Sequence, residues 1–264
     1  MYKFYSLYSG SSGNSTYIGD SESGILIDIG KNAKQTTLAL DAIGISPANI
    51  RAIFITHEHS DHISGLRVFC NKHKIPVYAS LGTLSALDEG GHLMGDFPVF
   101  QMSNFADVEG FHVTSFPTLH DARESCGYRI EMENGKSAAV CTDLGIVTPE
   151  VMNGLLGCET VLLESNYDKN MLETGPYPYS LKRRIAGETG HLSNEMAANT
   201  SFQLIKGGTR NIILGHLSRE NNYPDLAFQT TQSFLLTNGL NVDCDYNLKV
   251  ASRHEARGFD FQGE

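Results

Sequence analysis

The stretch of the chain with the clearest chemical potential is a short segment rich in histidine. It follows the apolar run 52–55 and reads Thr56-His57-Glu58-His59-Ser60-Asp61-His62. In an extended segment His57 and His59 project to the same side, so both imidazoles can reach one metal ion. Asp61 and His62 begin the turn that follows and can face a neighbouring ion. The alternative, a surface loop that happens to be rich in histidine, is disfavoured because this pattern is rare by chance.

This segment cannot complete two metal sites alone, since each ion needs three or four protein ligands. Three further residues stand where predicted strands end, namely His120, Asp143 and His216. Strand ends are where α/β folds place their ligand sites. Each of the three also has an ordinary alternative, a capping aspartate or a histidine bonded to the backbone. The shared position favours metal binding.

The elements that must position these residues follow from hydrophobic periodicity and turn signals. We expect strands over 2–8, 15–18, 24–28, 51–56, 111–116, 126–132, 137–142, 160–164, 211–214 and 246–250, with 97–142 strand-like as a whole and a hairpin turn at 133–135. We expect helices over 33–43, 63–73, 148–156, 179–187, 193–206 and 224–237. Because no linker or repeat interrupts this pattern, residues 1–264 are predicted to form a single domain.

Composition excludes several classes of protein. The chain has 264 residues, of which 41% are hydrophobic, so it is not disordered. A net charge of −10 argues against general attraction to nucleic acid or to an anionic membrane. Residues 176–219 are a local exception, with six basic and two acidic side chains. No bilayer-length apolar run and no signal peptide are visible, and the five cysteines are scattered. We therefore expect a cytoplasmic protein with no membrane partner.

The order of the ligand candidates resembles that of the metallo-β-lactamase-fold hydrolases, and the resemblance spans nearly the whole chain. It implies an α/β fold of the four-layer αββα type, in which helices flank two mixed β-sheets. It also implies two divalent ions, the first held by His57, His59 and His120, the second by Asp61, His62 and His216, with Asp143 bridging them. Such sites accept Zn²⁺ or Mn²⁺ foremost, and also Fe or Ni.

Within that superfamily the chain is most similar to the YycJ/WalJ-like group. The motifs that carry this similarity are Ser9-Gly10-Ser11-Ser12-Gly13-Asn14-Ser15, the histidine segment 56–62, His120-Asp121-Ala122, Gly190-His191-Leu192-Ser193-Asn194 and Gly215-His216-Leu217-Ser218. The group is regarded as exonuclease or phosphodiesterase in character and directed at DNA. The chain departs from its pattern at Ser125-Cys126, where proline and an aliphatic residue are expected.

Two residues favour a phosphodiester over other substrates. Glu164 ends an apolar run and His191 precedes a predicted helix. In ribonuclease Z-like members of the superfamily, a glutamate and a histidine in similar contexts protonate the leaving oxygen. By this resemblance Glu164 orients His191 and raises its pKa, and both join Asp61 as catalytic candidates. The alternatives are a solvated strand end for Glu164 and a helix neighbour without a catalytic role for His191.

Candidates for substrate binding are small or basic residues. Ser11, Ser12 and Asn14 belong to a loop whose backbone can approach an anion closely, unless it is a plain turn. Lys182, Arg183 and Arg184 follow two aromatic residues and could hold a phosphate backbone, although such runs are commonly solvated helix faces. Ser218 completes this set. Asp28 is expected to fix the metal-binding loop through hydrogen bonds without binding a metal itself.

The sequence therefore predicts a phosphodiesterase, most specifically a nuclease acting on DNA or a nucleotide, with a hydroxide between two metals as nucleophile. Only 73 positions separate Asp143 from His216, too few for the extra domain of ribonuclease J-like members. One alternative is a thioester, lactone or β-lactam hydrolase on the same site. Another is a metal-stabilised binding or sensing protein without turnover. The oligomeric state is left open.

Overall fold

The structure, a computed structural model, describes residues 1–261. Its strands are β1 (Lys3–Tyr8), β2 (Ser15–Gly19), β3 (Gly24–Ile27), β4 (Ile50–Phe54), β5 (Val77–Ala79), β6 (Val99–Gln101), β7 (Phe105–Val108), β8 (Phe111–Pro117), β9 (Cys126–Met132), β10 (Ser137–Cys141), β11 (Thr160–Glu164), β12 (Asn211–Gly215), β13 (Asn247–Val250) and β14 (Arg257–Asp260). Its α-helices are α1 (Ala33–Ala42), α2 (Ser60–Ile63), α3 (Leu66–His73), α4 (Leu81–Glu89), α5 (Pro149–Leu155), α6 (Lys169–Thr174), α7 (Tyr179–Ile185), α8 (Asn194–Lys206) and α9 (Pro224–Thr237). The predicted domain range extends to residue 264, and its last three residues lie outside this description.

The strands form two seven-stranded sheets of matching design. The first sheet has the order β14-β1-β2-β3-β4-β5-β6 and the second β13-β12-β11-β10-β9-β8-β7. Three neighbouring pairs are antiparallel and three are parallel in each sheet. Parallel neighbours place their carboxyl ends at one edge, so the segments that follow β3, β4, β10, β11 and β12 are candidates to meet there.

Three apolar clusters separate four layers, because adjacent residues of a strand point to opposite faces. Ile213 of β12 packs into the cluster between the two sheets, whereas Ile212 and Leu214 pack under α5, α8 and α9. In the first sheet, Phe54 faces the sheet interface and Ile53 faces α1 and α3. Strands buried on both faces need continuous apolar runs, as these strands have. The predicted αββα sandwich is confirmed.

Several predicted elements differ from those observed. The predicted helix 63–73 begins later, as α3 at Leu66, and a separate short helix, α2, ends at Ile63 before Ser64 and Gly65. A Cβ at Gly65 would lie 2.2 Å from the carbonyl oxygen of Lys31, so only glycine permits this close backbone approach. The prediction also lacked β5, β14, α4 and α6. Three of these have six residues or fewer, too short for a periodic signal.

Among residues 1–261 we find no helix with both the length and the apolar character that crossing a membrane requires.

Candidate metal centre

The histidine segment lies at the carboxyl end of β4, at the edge where the two sheets meet. His57 is 1% exposed and α2 begins at Ser60, directly after His59. His120, from the segment after β8, comes to the same place, with its ring centroid 5.1 Å from those of His57 and His59. One ligand atom from each of these histidines lies within 4.8 Å of the others. This is the set predicted for the first ion.

The set predicted for the second ion also converges. Asp61, His62 and His216 offer ligand atoms within 4.8 Å of one another. Asp61 Oδ2 lies 3.7 Å from His62 Nε2 and 3.5 Å from His216 Nε2. His216 follows β12 of the second sheet, whereas Asp61 and His62 follow β4 of the first sheet. The second set is therefore assembled from both sheets.

Asp143 lies between the two sets. Its Oδ2 is 3.3 Å from His62 Nε2, and its Oδ1 is 3.8 Å from His120 Nε2 and 3.3 Å from His216 Nδ1. The side chain is 3% exposed. One carboxylate thus faces residues of both sets, as a bridging ligand must.

The buried polar atoms of the cluster fit divalent cations. His57 Nε2, His216 Nε2 and Asp143 Oδ2 are buried and have no hydrogen-bond partner among residues 1–261. Leaving a buried polar group without a partner is costly, and nearly all such groups in folded proteins have one. Imidazole nitrogens and carboxylate oxygens are the donors that Zn²⁺ and Mn²⁺ take. The residues present therefore suit a metal site.

The Nδ1 atom of each buried histidine has its own partner, which leaves Nε2 as the nitrogen that can face an ion. His62 Nδ1 bonds Asp28 Oδ2 at 2.7 Å and His216 Nδ1 bonds Glu164 Oε1 at 2.7 Å. His57 Nδ1 lies 3.0 Å from Thr56 Oγ1, and His120 Nδ1 lies 3.2 Å from the carbonyl oxygen of Gly190. Such bonds fix the tautomer and the orientation of metal-binding histidines.

Thr56 is a supporting residue that the sequence analysis did not identify. Its backbone N–H and its hydroxyl each donate a 2.8 Å hydrogen bond to the Asp28 carboxylate. The same hydroxyl oxygen lies 3.0 Å from His57 Nδ1 and 3.3 Å from His62 Nδ1. Asp28 therefore lies where the prediction placed it, against the metal-binding loop, and Thr56 joins it to two candidate ligands. Its place directly before His57 was the only available signal.

Glu164 bonds two functional histidines at once. Its Oε1 lies 2.8 Å from His191 Nδ1 and 2.7 Å from His216 Nδ1, while Oε2 accepts the N–H groups of Leu144 and Leu192. The side chain is fully buried, so Glu164 is not a solvated strand end. His191 is partly exposed and also lies 3.8 Å from Asp143. The predicted pair of Glu164 and His191 is thus in hydrogen-bond contact beside the ligand cluster.

Burial and neighbouring carboxylates shift the pKa values of the histidines in the cluster in opposite directions. Burial lowers the pKa of His57 well below its ordinary value and also lowers that of His120. Burial opposes protonation of His216 as well, but Asp143, Asp61 and Glu164 outweigh it and raise its pKa to about 10.

The pKa of His191, like that of His216, is lowered by burial and raised by a neighbouring carboxylate. Burial alone would lower its pKa, but the Glu164 carboxylate raises it above the ordinary value. Reciprocally, burial would raise the pKa of Glu164, but His191 and His216 lower it. This pair therefore favours an imidazolium next to a carboxylate.

A cavity of about 320 Å³ opens over the cluster. Its wall comprises Ser11, His59, Asp61, His120, Asp143, Asn166, Tyr177, Leu181, Arg184, Ile185, His191, His216 and Ser218. Of the predicted substrate-binding residues, this wall contains Ser11, Arg184 and Ser218. Asn166 was not predicted. It donates a 2.7 Å hydrogen bond to the carbonyl oxygen of His216.

The other predicted substrate-binding residues do not form this wall within the described chain. Lys182 Nζ donates to the carbonyl oxygen of Glu173, and Arg183 lies over the ring of Tyr179. Ser12 is exposed outside the wall. Asn14 is only 6% exposed, and its amide faces Asp61 and His62. Of the three basic residues of α7, only Arg184 lies in the cavity wall, where it is paired with Asp121.

The departure at Ser125-Cys126 lies beside the centre. Cys126 begins β9, and its backbone N–H donates to the carbonyl oxygen of Thr56 at 3.1 Å. Ser125 Oγ donates to the carbonyl oxygen of Thr118. Neither side chain belongs to the two ligand sets.

Comparison with known proteins agrees with this architecture. Residues 24–216 match the family model described as a beta-lactamase superfamily domain. The chain is 38% identical to exodeoxyribonuclease YycJ of Bacillus anthracis over 90% of this chain and 91% of that protein. It is 36% identical to exodeoxyribonuclease WalJ of Streptococcus pneumoniae serotype 2 over 94% of this chain and 93% of that protein. The crystal structure of the metallo-beta-lactamase fold protein YhfI from Bacillus subtilis superimposes with a TM-score of 0.72 at 11% identity, covering 98% of this chain and all of that one. The chain belongs to the β-lactamase superfamily, in the group that contains YycJ and WalJ.

Proposed function

We propose that this protein is a metal-dependent phosphodiesterase of the nuclease type that removes nucleotides from DNA ends. The observation that carries this proposal is the contact between Glu164 and His191 beside a cluster of seven candidate ligands. Such a pair supplies a proton to a poor leaving group, which an alkoxide is at neutral pH. The two exodeoxyribonuclease relatives, which match over nine-tenths of the chain, support a DNA substrate.

The ligand clusters support a pair of divalent ions, Zn²⁺ or Mn²⁺ foremost. His57, His59 and His120 would hold the first, and Asp61, His62 and His216 the second, with Asp143 shared. When bound, such ions supply Lewis acidity toward phosphoryl oxygens and lower the pKa of water toward neutrality.

The role proposed for His191 follows from its surroundings. Its Nδ1 is held by Glu164, which raises the pKa of the ring and so favours its protonated form. The ring also forms part of the cavity wall, so it can donate that proton to an oxygen leaving within the cavity. Asp61, in the same wall, would take part in the reaction by holding the second ion.

The remaining cavity residues define how a strand end would bind. Ser11 and Ser218 offer hydroxyl groups, and Arg184 offers a guanidinium whose charge is shared with Asp121. Tyr177 and Leu181 supply an apolar surface on which a base can pack. Lys182, Arg183 and Ser12 lie farther out and would contact only a longer strand.

Residues 1–264 are proposed to act as one catalytic domain in the cytoplasm. Support for this location comes from the five cysteines, all of which are free, with four of them buried.

The test is a comparison of H191A with the wild type on two substrates, after loading both proteins with Mn²⁺ or Zn²⁺. We expect H191A to degrade end-labelled DNA about 10²- to 10⁴-fold more slowly, the range typical of a lost general acid. A phosphodiester with a nitrophenolate leaving group needs no proton, so its hydrolysis should change little. H112A is the matched control, because His112 is partly exposed and paired with Asp107 far from the cavity.

Equal loss on both substrates would contradict the role of His191. Rapid hydrolysis of a thioester, lactone or β-lactam without DNA cleavage would favour the other hydrolase class. Metal binding without any turnover would favour a sensing protein.

A further inference from the structure

The loop between β1 and β2 contains two buried polar residues whose partners are candidate metal ligands. Ser9 is 5% exposed and Asn14 is 6% exposed. Ser9 Oγ accepts the backbone N–H of His216 at 2.7 Å and lies 3.2 Å from Asn14 Oδ1, to which it donates. A chain of hydrogen bonds therefore begins at the second sheet and reaches Asn14.

The other end of the Asn14 amide faces the first sheet. Its Nδ2 lies 3.1 Å from His62 Nε2 and 3.4 Å from Asp61 Oδ2. The amide orientation is fixed because Asn14 Oδ1 accepts the backbone N–H of Gly10 at 2.9 Å. An amide NH₂ group donates and does not ligate metals. Its contact with Asp61 Oδ2 can persist beside a bound ion, whereas His62 Nε2 would then bind the ion in place of the amide.

We infer that Ser9 and Asn14 form a hydrogen-bonded bridge that positions Asp61 and His216 for the second ion. This inference rests on the proposed pair of ions. The two residues act as positioning residues for the metal centre, whereas the sequence had assigned Asn14 to the substrate. The bridge spans the two sheets, because Asp61 follows β4 and His216 follows β12. The His216 backbone is bonded directly to this loop.

The backbone of the loop is held independently of these side chains. Asn14 N–H donates to the carbonyl oxygen of Asp61 at 2.7 Å, and Gly30 N–H donates to the carbonyl oxygen of Asn14 at 2.8 Å. A Cβ at Gly30 would lie 1.7 Å from the Asp61 carbonyl oxygen, so the three segments are in close contact. Truncating the Asn14 or Ser9 side chain therefore removes the bridge and keeps the path of the loop.

The experiment measures metal binding by N14A and S9A. Metal-free protein is titrated with Zn²⁺ in competition with a chromophoric chelator, and bound metal is counted after dialysis. We expect the wild type to bind two ions. In both variants one of the two affinities should fall about 10- to 100-fold, the range reported for lost partners of metal ligands, while the other is unchanged.

Matched controls exist for both changes. S6A removes a hydroxyl from β1 whose oxygen is buried and has no hydrogen-bond partner in the described part of the chain. N211A removes a buried amide at the opposite end of β12, bonded to Thr160 and Asn247. Neither should alter metal binding. Should N14A fail to fold, S9A carries the test.

The same substitutions made in a variant that already lacks one ligand show which ion is lost. H59A removes a ligand of the first set, so the ion that remains belongs to the second set. Adding N14A to H59A should then weaken that single ion, whereas adding N211A should not. If N14A and S9A bind two ions with wild-type affinities, the proposed bridge is wrong and the proposed pair of ions stands. A wild type that binds one ion would contradict the proposed pair of ions and overturn the bridge with it.

Discussion

At the scale of single residues, Glu164 is shared by the proposed proton donor His191 and the candidate metal ligand His216. It bonds His191 and His216 through the same oxygen and has no exposed surface. One buried carboxylate therefore orients two rings with different tasks. Replacing it should change both the protonation of His191 and the position of His216.

This double contact predicts a shift in the pH dependence of DNA cleavage by E164Q. Because Glu164 raises the pKa of His191, the wild-type imidazolium survives above the ordinary histidine pKa and activity declines only as pH exceeds the raised value. Glutamine keeps the shape and removes the charge. The alkaline limb of the kcat profile should therefore move to lower pH, as measured at saturating metal.

H191A serves as the comparison, since its profile should lack this limb altogether. An E164Q profile with the limb at the wild-type pH would show that Glu164 does not control His191.

At the scale of elements, the turn between β4 and α2 is held in part by one hydroxyl group, that of Thr56. Thr56 Oγ1 donates to Asp28, which follows β3, and contacts the Nδ1 atoms of His57 and His62. The ends of two parallel strands are joined at this atom. The ligand segment owes its shape to that contact as well as to its own sequence.

T56V tests this dependence, since valine has the shape of threonine without the hydroxyl. We expect metal affinity to fall about 10- to 100-fold, as for other lost partners of metal ligands, with the fold retained. The measurement is Zn²⁺ affinity together with circular dichroism. T231V is the control, because Thr231 Oγ1 is buried in α9 and, within the residues that the structure describes, has no hydrogen-bond partner. Unchanged affinity in T56V would mean that Asp28 alone orients the histidines.

The same elements show what the sequence could predict. The runs that became β11 and β12 are apolar on both faces, so their existence and their strand ends at Glu164 and His216 were visible from the sequence. β14 was not, because it pairs with β1 across nearly the whole chain length. The partners of Asn14 were also invisible, since nothing local indicates that the loop after β1 reaches Asp61.

At the scale of the whole molecule, the candidate ligands link the two sheets. His57 to His62 belong to the first sheet's edge, whereas His120, Asp143 and His216 follow strands of the second. Bound ions would therefore hold the halves of the sandwich together. Metal binding and global stability should be coupled.

Removal of metal by a chelator is thus expected to lower the thermal midpoint. Ligand present at 100 times its dissociation constant stabilises a folded protein by about 2.7 kcal/mol per site, and each kcal/mol corresponds to about 2 to 4 °C for a chain of this size. The measurement is calorimetry with and without chelator, followed by re-addition of Zn²⁺. H216A should show a smaller chelator effect. An identical midpoint in loaded and stripped wild type would contradict the coupling.

Three residues at the centre have left-handed backbones, with φ of 61° at Asp28, 61° at Asp143 and 53° at His216. Side chains with a branched Cβ are strained in this conformation, whereas glycine, asparagine and aspartate tolerate it. Few amino acids can therefore occupy these positions without backbone strain, whatever reaction the site performs. A relative without hydrolytic activity would keep the same backbone restriction, so glycine, asparagine or aspartate is expected wherever it has lost one of these side chains.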